Sequence, residues 1–235
     1  CGEFGYGRLL EPEKIIEQLF DAPLKNKRVL VSTGATVEYL DSMRLISNRS
    51  SGKMGFSLAL AANALGANTS VVAAQTSVLP PAMLSVRHAV EGQAMRQAVL
   101  EEAKHADWFF SVAAVADFKL TDSPTGKIER QTKEITLTLS PTADILAEVQ
   151  HQYPTLNCVG FAAQTGSADE KKQNARAKMA RKNVRWLVLN DVADAGRPDC
   201  QLTLLYAGGE KVFPRLPKAE AAKQLLTTIV SCETS

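Results

Sequence analysis

Short apolar segments alternate along this chain with stretches of helical periodicity. The apolar segments are Val29-Leu30-Val31, Thr69 to Ala74, Asp107 to Val112, Asn157 to Phe161 and Arg185 to Asn190. Apolar strands separated by helices of about 10 to 15 residues are typical of βαβ units, in which both faces of a parallel sheet are buried. Right-handed crossovers then place helices on both sides of the sheet. The alternation therefore predicts an α/β fold, a Rossmann-like three-layer sandwich with a mainly parallel sheet.

Other segments complete or interrupt this rhythm. A short strand around Val86 and three helices are predicted, the helices covering Phe56 to Leu65, about 92 to 104 and about 169 to 182. Lys127 to Leu139 alternates polar and apolar residues, which indicates a β hairpin or flap with one solvated face. Leu202 to Pro214 carries a Gly208-Gly209 turn between two apolar runs, so this segment predicts a second hairpin.

The chain length bounds the number of domains. A chain of 235 residues is long enough for one large α/β domain. We expect that domain to span residues 27–235. Residues 1–26 read as a separate piece, one short amphipathic helix followed by a linker, which cannot bury a core by itself.

Composition excludes several classes of function. The formal net charge of +2 is too small for nucleic-acid binding by bulk electrostatics, so any basic site must be local. No apolar run approaches the length of a membrane span, and the first residues lack the features of a signal peptide. The four cysteines are scattered, which argues against a zinc site or disulfides and for a reducing, cytoplasmic location. The three histidines are isolated from one another, which argues against a histidine-based or metal–histidine mechanism.

A polar loop from Arg44 to Gly55 follows the first strand and precedes the first helix. Ser50, Ser51 and Gly52 stand directly before that helix, where hydroxyls and free backbone N–H groups suit an anion. The loop lacks the Gly-x-Gly-x-x-Gly pattern of dinucleotide sites and the Walker pattern of P-loops. The sequence therefore predicts a phosphate-binding loop, with NAD binding as the weaker alternative.

Three further segments carry candidate ligand groups. Asp117 follows the strand that ends at Val112, and its carboxylate could hold a metal bound to phosphates or simply cap a turn. Lys127 begins the flap, where it could reach a nucleotide or remain a solvated charge. Lys178 and Lys182 lie four residues apart on one helix face, where like charges repel, so an anionic partner or a solvated basic face explains them.

Several motifs in this order resemble phosphopantothenate–cysteine ligase, the phosphopantothenoylcysteine synthetase of coenzyme A biosynthesis. They are Arg44-Leu45-Ile46-Ser47-Asn48-Arg49-Ser50-Ser51-Gly52-Lys53-Met54-Gly55, Ala113 to Phe118, Val159 to Thr165 and Lys178 to Asn183, leading to Leu189-Asn190-Asp191. The resemblance covers about residues 27 to 231. Residues 1–12 resemble the end of the flavin-dependent decarboxylase that precedes this enzyme in a bifunctional bacterial protein, and Cys1 matches that decarboxylase's clamp cysteine.

The resemblance implies a two-step ligation. The carboxylate of 4′-phosphopantothenate attacks the α-phosphate of CTP and pyrophosphate leaves. The amine of L-cysteine then displaces CMP from the acyl-cytidylate. The resemblance also implies Mg²⁺ on the triphosphate, a homodimer with the flap near its interface, and FMN only in the decarboxylase part.

The same resemblance assigns roles to individual residues. Asn48 matches the asparagine needed to convert the intermediate, with Arg44 in the same half of the reaction. Lys127 matches the flap lysine needed to form the acyl-cytidylate, and Asp117 the acid near metal and triphosphate. The remaining nucleotide-contacting positions are Ser111, Val112, Ala113, Ala143, Asp144, Ile145, Leu146, Phe161, Lys178 and Lys182.

Two positions depart from the family pattern. Glu129 stands where the flap usually carries a cation, which alters the flap's electrostatics. The proline expected before Asp144 is displaced to Pro141, which would loosen the start of the next helix while sparing its anion-binding N-terminus. The alternatives to a ligase are a Rossmann-like NAD(P)-dependent oxidoreductase and a non-catalytic nucleotide-binding module.

Overall fold

The computed structural model describes residues 22–122, 126–129 and 134–233. The strands are β1 (Arg28–Thr33), β2 (Val37–Tyr39), β3 (Leu45–Ser47), β4 (Asn68–Ala73), β5 (Ser85–His88), β6 (Trp108–Ser111), β7 (Phe118–Leu120), β8 (Leu139–Pro141), β9 (Asn157–Gln164), β10 (Trp186–Asp191), β11 (Asp199–Cys200), β12 (Leu202–Tyr206), β13 (Gly209–Val212) and β14 (Leu216–Pro217). The helices are α1 (Lys53–Ala64), α2 (Gly92–Ala103), α3 (Ile145–Gln152), α4 (Ala168–Lys182) and α5 (Lys218–Glu233).

Eight of these strands form one sheet in the order β13-β12-β10-β9-β6-β1-β4-β5. The pairings from β10 across to β5 are parallel. β12 and β13 extend one edge in antiparallel fashion. The predicted α/β class with a mainly parallel sheet is confirmed, and the predicted second hairpin is β12 with β13.

Both faces of the sheet are covered, which explains why its central strands are apolar throughout. Val29 and Val31 of β1 join the hydrophobic cluster that includes α1 and α5. Leu30, between them, joins the opposite cluster with α2 and α3. Successive side chains of a strand point to opposite faces, so each strand needs apolar residues at every position. A smaller cluster joins Ala175 of α4 to β10 and β12.

Helix α5 was not predicted, although its sequence carries the signal. Its buried residues recur at helical spacing and are Ala221, Ala222, Leu225, Leu226, Ile229 and Val230. This face packs beside α1 in the larger cluster. The helix closes one layer of the sandwich. None of the described helices is both long and apolar enough to cross a bilayer.

The two segments predicted as loop and flap differ in detail from expectation. The polar loop begins as a small hairpin, in which β2 pairs with β3. The flap's pairing lies at its ends, where β7 pairs with β8, so the strands predicted within 127–139 are wrong for the described residues before Leu139. Ile135 and Leu137 supplied the alternation, but they are 47% and 41% exposed, so no core selects a strand there.

The predicted boundary near residue 26 remains a prediction. Residues 1–21, including Cys1, lie outside the described part of the chain. Within the predicted linker, Leu24 is only 2% exposed and belongs to the larger core cluster. Its backbone N–H also donates to the carbonyl of Leu65 at 3.0 Å. The end of the linker is therefore docked on the domain.

Candidate functional site

A cleft opens at the carboxyl ends of β1, β6, β9 and β10. Its empty volume is about 780 Å³, counting the part open to solvent. β4 and β5 lie on one side of β1, while β6, β9 and β10 lie on the other, so the cleft stands where the direction of the crossovers reverses. Ligands of open α/β sheets bind at this kind of switch point. Its lining includes Thr33, Ser50, Ser51, Gly52, Lys53, Val112, Ala113, Phe161, Asn190 and Lys218.

The first helix begins directly against the end of β1. The hydroxyl of Thr33 donates to the carbonyl of Gly52 at 3.0 Å. Gly52 has a φ of 79°, in the left-handed region that favours glycine. A Cβ on Gly55 would lie 2.2 Å from Thr33 Oγ1. Close approach of α1 to the strand therefore requires glycine at Gly55, while the backbone conformation favours glycine at Gly52.

The start of α1 has the backbone geometry that the predicted anion site requires, and the site itself stays a prediction. Gly52 caps the helix and brings no side chain to its first-turn N–H groups. The hydroxyls of Ser50 and Ser51 accept from the backbone N–H groups of Gly52 and Lys53, each at 3.4 Å. All of these residues line the cleft. They present backbone donors and hydroxyls together at the positive end of a helix.

The loops after β1 and β6 are joined by hydrogen bonds. The backbone N–H of Ala116 donates to the Thr36 hydroxyl at 2.8 Å, and Thr36 is fully buried. Ala114 donates to the carbonyl of Gly34 at 2.8 Å. These bonds fix the small-residue segment after β6, of which Val112 and Ala113 line the cleft. Ser111 is the last residue of β6 and is partly buried.

The hairpin of β2 and β3 carries Arg44 and Asn48 to the same region. Asn48 Nδ2 donates to the carbonyl of Val115 at 3.0 Å, two residues before Asp117. Arg44 forms an ion pair with Asp41 at 3.0 Å. It also donates to the carbonyl of Ile128, the neighbour of Lys127 in the flap. The structure therefore brings Arg44 to the flap and Asn48 to the loop of Asp117.

Asp41 is a site residue that the sequence analysis missed. Its side chain is fully buried and accepts backbone hydrogen bonds from Met43 at 2.8 Å, Arg44 at 2.7 Å and Ile128 at 3.1 Å. We call Asp41, Arg44 and Ile128 the Asp41 clasp, since one carboxylate ties the β2–β3 hairpin to the flap. A local sequence signal for Asp41 existed, because an aspartate that accepts hydrogen bonds from the residues two and three positions later is typical of a turn.

Burial by itself would raise the pKa of Asp41. The three backbone N–H donors and the Arg44 guanidinium outweigh that effect and hold the pKa below its usual value. The carboxylate is therefore ionised and matched at neutral pH. Its buried position suits an orienting role and keeps it from touching a ligand.

The segment 143–146 presents its side chains differently from one position to the next. Asp144 caps α3 by accepting from the N–H of Ala147 at 3.2 Å, so the helix start is anchored although the proline is displaced. Ile145 and Leu146 are each only 5% exposed, so any ligand contact they make comes from the backbone. Ala143 is exposed and lines a second cleft beside the flap hairpin, away from Ser50.

The two lysines of α4 have different environments. Lys182 forms an ion pair with Asp144 at 2.8 Å, so the anionic partner expected for this lysine includes a carboxylate of the same chain. Lys178 is partly buried and lines a third depression with Arg181 and Gln164. Phe161 faces the main cleft. The predicted nucleotide positions are thus spread over three adjoining concavities.

The described residues offer few side chains for binding a metal ion or for thiol chemistry. Within residues 22–122, 126–129 and 134–233, no cluster of three or more His, Cys, Asp or Glu side chains could hold a metal ion. Asp117 is a single exposed carboxylate, which fits Mg²⁺ carried mainly by substrate phosphates. Burial raises the pKa of the Cys158 thiol to about 12 and that of Cys200 to about 11. Neither thiol is a ready nucleophile.

Fold and cleft together define a Rossmann-like α/β protein with an anion-suited site at the carboxyl ends of its parallel strands. The chain belongs to the family of the DNA/pantothenate metabolism flavoprotein C-terminal domain, whose model matches residues 24–232. The resemblance inferred from the motifs is confirmed at this level.

Relatives and solved structures agree with that membership. Over 97% of its own length, this chain is 36% identical to the coenzyme A biosynthesis bifunctional protein CoaBC of Vibrio vulnificus. Over 98% of its own length, it is 33% identical to the CoaBC protein of Escherichia coli. It spans 59% of the length of each. The crystal structure of the C-terminal domain of CoaBC has a TM-score of 0.77 and 28% identity, and the match covers 91% of this chain and 98% of that one. Cab2 H337A in complex with phosphopantothenate-cysteine, at 18% identity, has the same fold, with a TM-score of 0.74 over 95% of this chain and 94% of that one.

Proposed function

We propose that this chain is a phosphopantothenate–cysteine ligase of coenzyme A biosynthesis that activates its carboxylate substrate with CTP. The observation that carries the proposal is the meeting of the Arg44–Gly55 loop with the β6 loop and the flap. This arrangement occurs in a member of a family whose relatives are named for coenzyme A biosynthesis. The chain's substrates are 4′-phosphopantothenate, L-cysteine and CTP.

In the first step, a carboxylate oxygen of phosphopantothenate bonds to the α-phosphorus of CTP. The bond from that phosphorus to the bridging oxygen breaks, and pyrophosphate leaves. Charge builds on the α-phosphate, so a cation and oriented N–H groups stabilise the transition state. Lys127 supplies the cation from the flap, and Ser50, Ser51 and Gly52 supply donors at the start of α1. Asp117 would hold Mg²⁺ carried by the triphosphate, and the metal would supply further charge neutralisation.

In the second step, the cysteine amine bonds to the acyl carbon, the bond to the cytidylate oxygen breaks, and the amine loses a proton as CMP leaves. Asn48 is held for this step because its Nδ2 donates to Val115. Among the described residues no group donates to its Oδ1. That oxygen can therefore orient the incoming amine, while Nδ2, which also donates to the carbonyl of Ala114 at 3.5 Å, keeps the side chain on the loop after β6. Arg44 stabilises the same intermediate from the Asp41 clasp.

The remaining assignments follow from the same proposal. Phe161 presents a ring to the cleft on which the base can stack. Ser111, Val112, Ala113, Ala143, Asp144, Ile145, Leu146, Lys178 and Lys182 complete the nucleotide surface. We also propose a cytoplasmic homodimer, and we propose that residues 1–26 correspond to the end of the flavin-dependent decarboxylase and a linker.

The test is pyrophosphate release by the purified chain. We expect release only when phosphopantothenate and CTP are both present, and conversion to phosphopantothenoylcysteine once cysteine is added. Replacing CTP by ATP in parallel reactions measures the nucleotide preference. Absence of pyrophosphate together with tight NADPH binding would replace the ligase by an oxidoreductase. Nucleotide binding without turnover would indicate a non-catalytic module.

A further inference from the structure

Two lysines outside the predicted site face the main cleft. Lys53 is the first residue of α1, and Lys218 is the first residue of α5. Both line the cleft together with Ser51 and Gly52. The two helices pack side by side in the larger core cluster. Their N-termini, each with a partial positive charge, therefore open on the same space.

These lysines have no carboxylate partner among residues 22–122, 126–129 and 134–233. Lys218 Nζ donates to the backbone carbonyl of Asp194 at 3.3 Å. The carboxylate of Asp194 is already engaged by Arg215 at 2.9 Å and by the N–H of Gln201 at 3.2 Å. By contrast, Lys171 and Lys182, in α4, are both paired with aspartates.

The environment of Lys218 makes its charge costly. Burial lowers the pKa of Lys218 and the charge of Lys53 adds to that lowering, while Cys200, Asp194 and Asp199 act in the opposite direction and offset part of it. Asp194 also lines the cleft, but its carboxylate is engaged by Arg215, so the two lysines and the two helix N-termini still favour an anion there. A single phosphate monoester carries at most two negative charges, whereas a polyphosphate carries more and is long enough to meet several donors.

We propose that Lys53 and Lys218 form a polyphosphate subsite, which binds the β- and γ-phosphates of the nucleoside triphosphate and then the departing pyrophosphate. The subsite deepens the proposed ligase function and rests on it for the identity of the nucleotide. The start of α1, at Ser51 and Gly52, completes the subsite with hydroxyl and backbone donors. Lys127 acts at the α-phosphate, so the two sets of cations divide the triphosphate between them.

The test measures the binding of inorganic pyrophosphate by titration calorimetry, which requires no turnover. We expect Lys218→Met and Lys53→Met each to weaken binding at least about tenfold, while Lys218→Arg retains most of it. Lys223→Met is the matched control, because Lys223 is exposed on the same helix and does not line the cleft. Thermal unfolding of each variant verifies that the fold is intact, and Lys53→Met carries the test if Lys218→Met does not fold.

Titration with phosphopantothenate distinguishes the two sources of phosphate. If the Met variants bind pyrophosphate as the parent does but lose phosphopantothenate, the subsite belongs to the acid substrate and the inference is wrong. Failure of the parent chain to bind pyrophosphate also overturns it. Weakened pyrophosphate binding in a chain without ligase activity would leave the subsite standing and reject the ligase proposal.

Discussion

At the scale of single residues, the two residues proposed for the two reaction steps lie in different segments of the chain. Asn48 is held on the loop after β6, and Lys127 lies in the flap beside Ile128 of the Asp41 clasp. The two residues are therefore attached to different parts of the molecule. We therefore expect that each half of the proposed reaction can be disturbed without the other.

Replacing each of these two residues should block a different step. We expect Asn48→Asp to release pyrophosphate and to accumulate the acyl-cytidylate, because only the second step needs the amide. Lys127→Gln should prevent pyrophosphate release, because the first step needs the cation. Quenched-flow separation of acyl-cytidylate from product measures both. Equal loss of the two steps in both variants would contradict this division.

Asp41→Asn should lower ligase turnover, on the order of 100-fold, because Arg44 and Ile128 lose a shared carboxylate and the reacting groups shift. Asparagine matches the shape of aspartate but brings an N–H group toward three backbone donors. The exposed Asp122→Asn is the control. Turnover that remains at the parent's level would show that the clasp does not position the site.

The same variant should alter the dependence of stability on pH. The folded state lowers the pKa of Asp41, so its ionised form stabilises the protein above the ordinary aspartate pKa of about 3.9, and this contribution is lost as the pH falls through the folded pKa. The free energy of unfolding in urea should therefore differ most between parent and Asp41→Asn near neutral pH. The difference should shrink in acid. A difference that is constant with pH would exclude this linkage.

At the scale of elements, the packing of the start of α1 against β1 depends on a glycine, which has no side chain. Gly55 lies against Thr33 so closely that the helix N-terminus and the end of β1 share one wall of the cleft. The sequence predicted this helix correctly, and its role as an anion site stays a prediction. It did not reveal how near the helix comes to the strand. A glycine in a helical sequence pattern does not show which residue of another element packs against it.

Gly55→Ala should destabilise the fold by about 1–3 kcal/mol, because the new Cβ overlaps Thr33 and α1 must move. Gly126→Ala should be close to neutral, since no heavy atom of the described residues lies within 4 Å of its Cβ position. Urea denaturation of the two variants gives the comparison. Equal stabilities would mean that the contact between α1 and β1 yields without cost.

At the scale of the whole molecule, exposed apolar residues concentrate on the two small hairpins beside the cleft. Tyr39 and Leu45 belong to β2 and β3, and Phe118 and Leu139 belong to β7 and β8; they are 42% to 53% exposed. A cluster of this kind is typical of a protein interface. It agrees with the homodimer that we propose, with the flap near its interface.

Phe118→Ser should shift the chain from dimer to monomer at micromolar concentration, because it removes an exposed ring from this surface. Val212→Ser is the matched control, since Val212 is 54% exposed on β13, an edge strand of the large sheet and not part of either small hairpin. Light scattering after gel filtration measures the masses. A parent chain that is monomeric, or a Phe118→Ser dimer, would reject the flap-side interface.

Much of this molecule could be predicted from local patterns. Apolar runs located five of the six parallel strands, because strands covered on both faces must be apolar at every position. The polar loop ending in Ser50, Ser51 and Gly52 located the helix start in the cleft. Helix α5 also has a clear local pattern, apolar residues at helical spacing, and was not predicted. The alternation around Ile135 predicted strands in a segment whose apolar side chains are exposed and do not pack in a core.

The sequence by itself determined the α/β class, the family and the loop that faces the cleft, since these follow from periodicity and from motifs of contiguous residues. Only the tertiary structure decided which distant groups meet. It joined Asp41 to Ile128, paired Lys182 with Asp144, and left Lys53 and Lys218 facing one cleft. Such meetings depend on the order of strands and the packing of helices, which bring together residues that no local pattern connects.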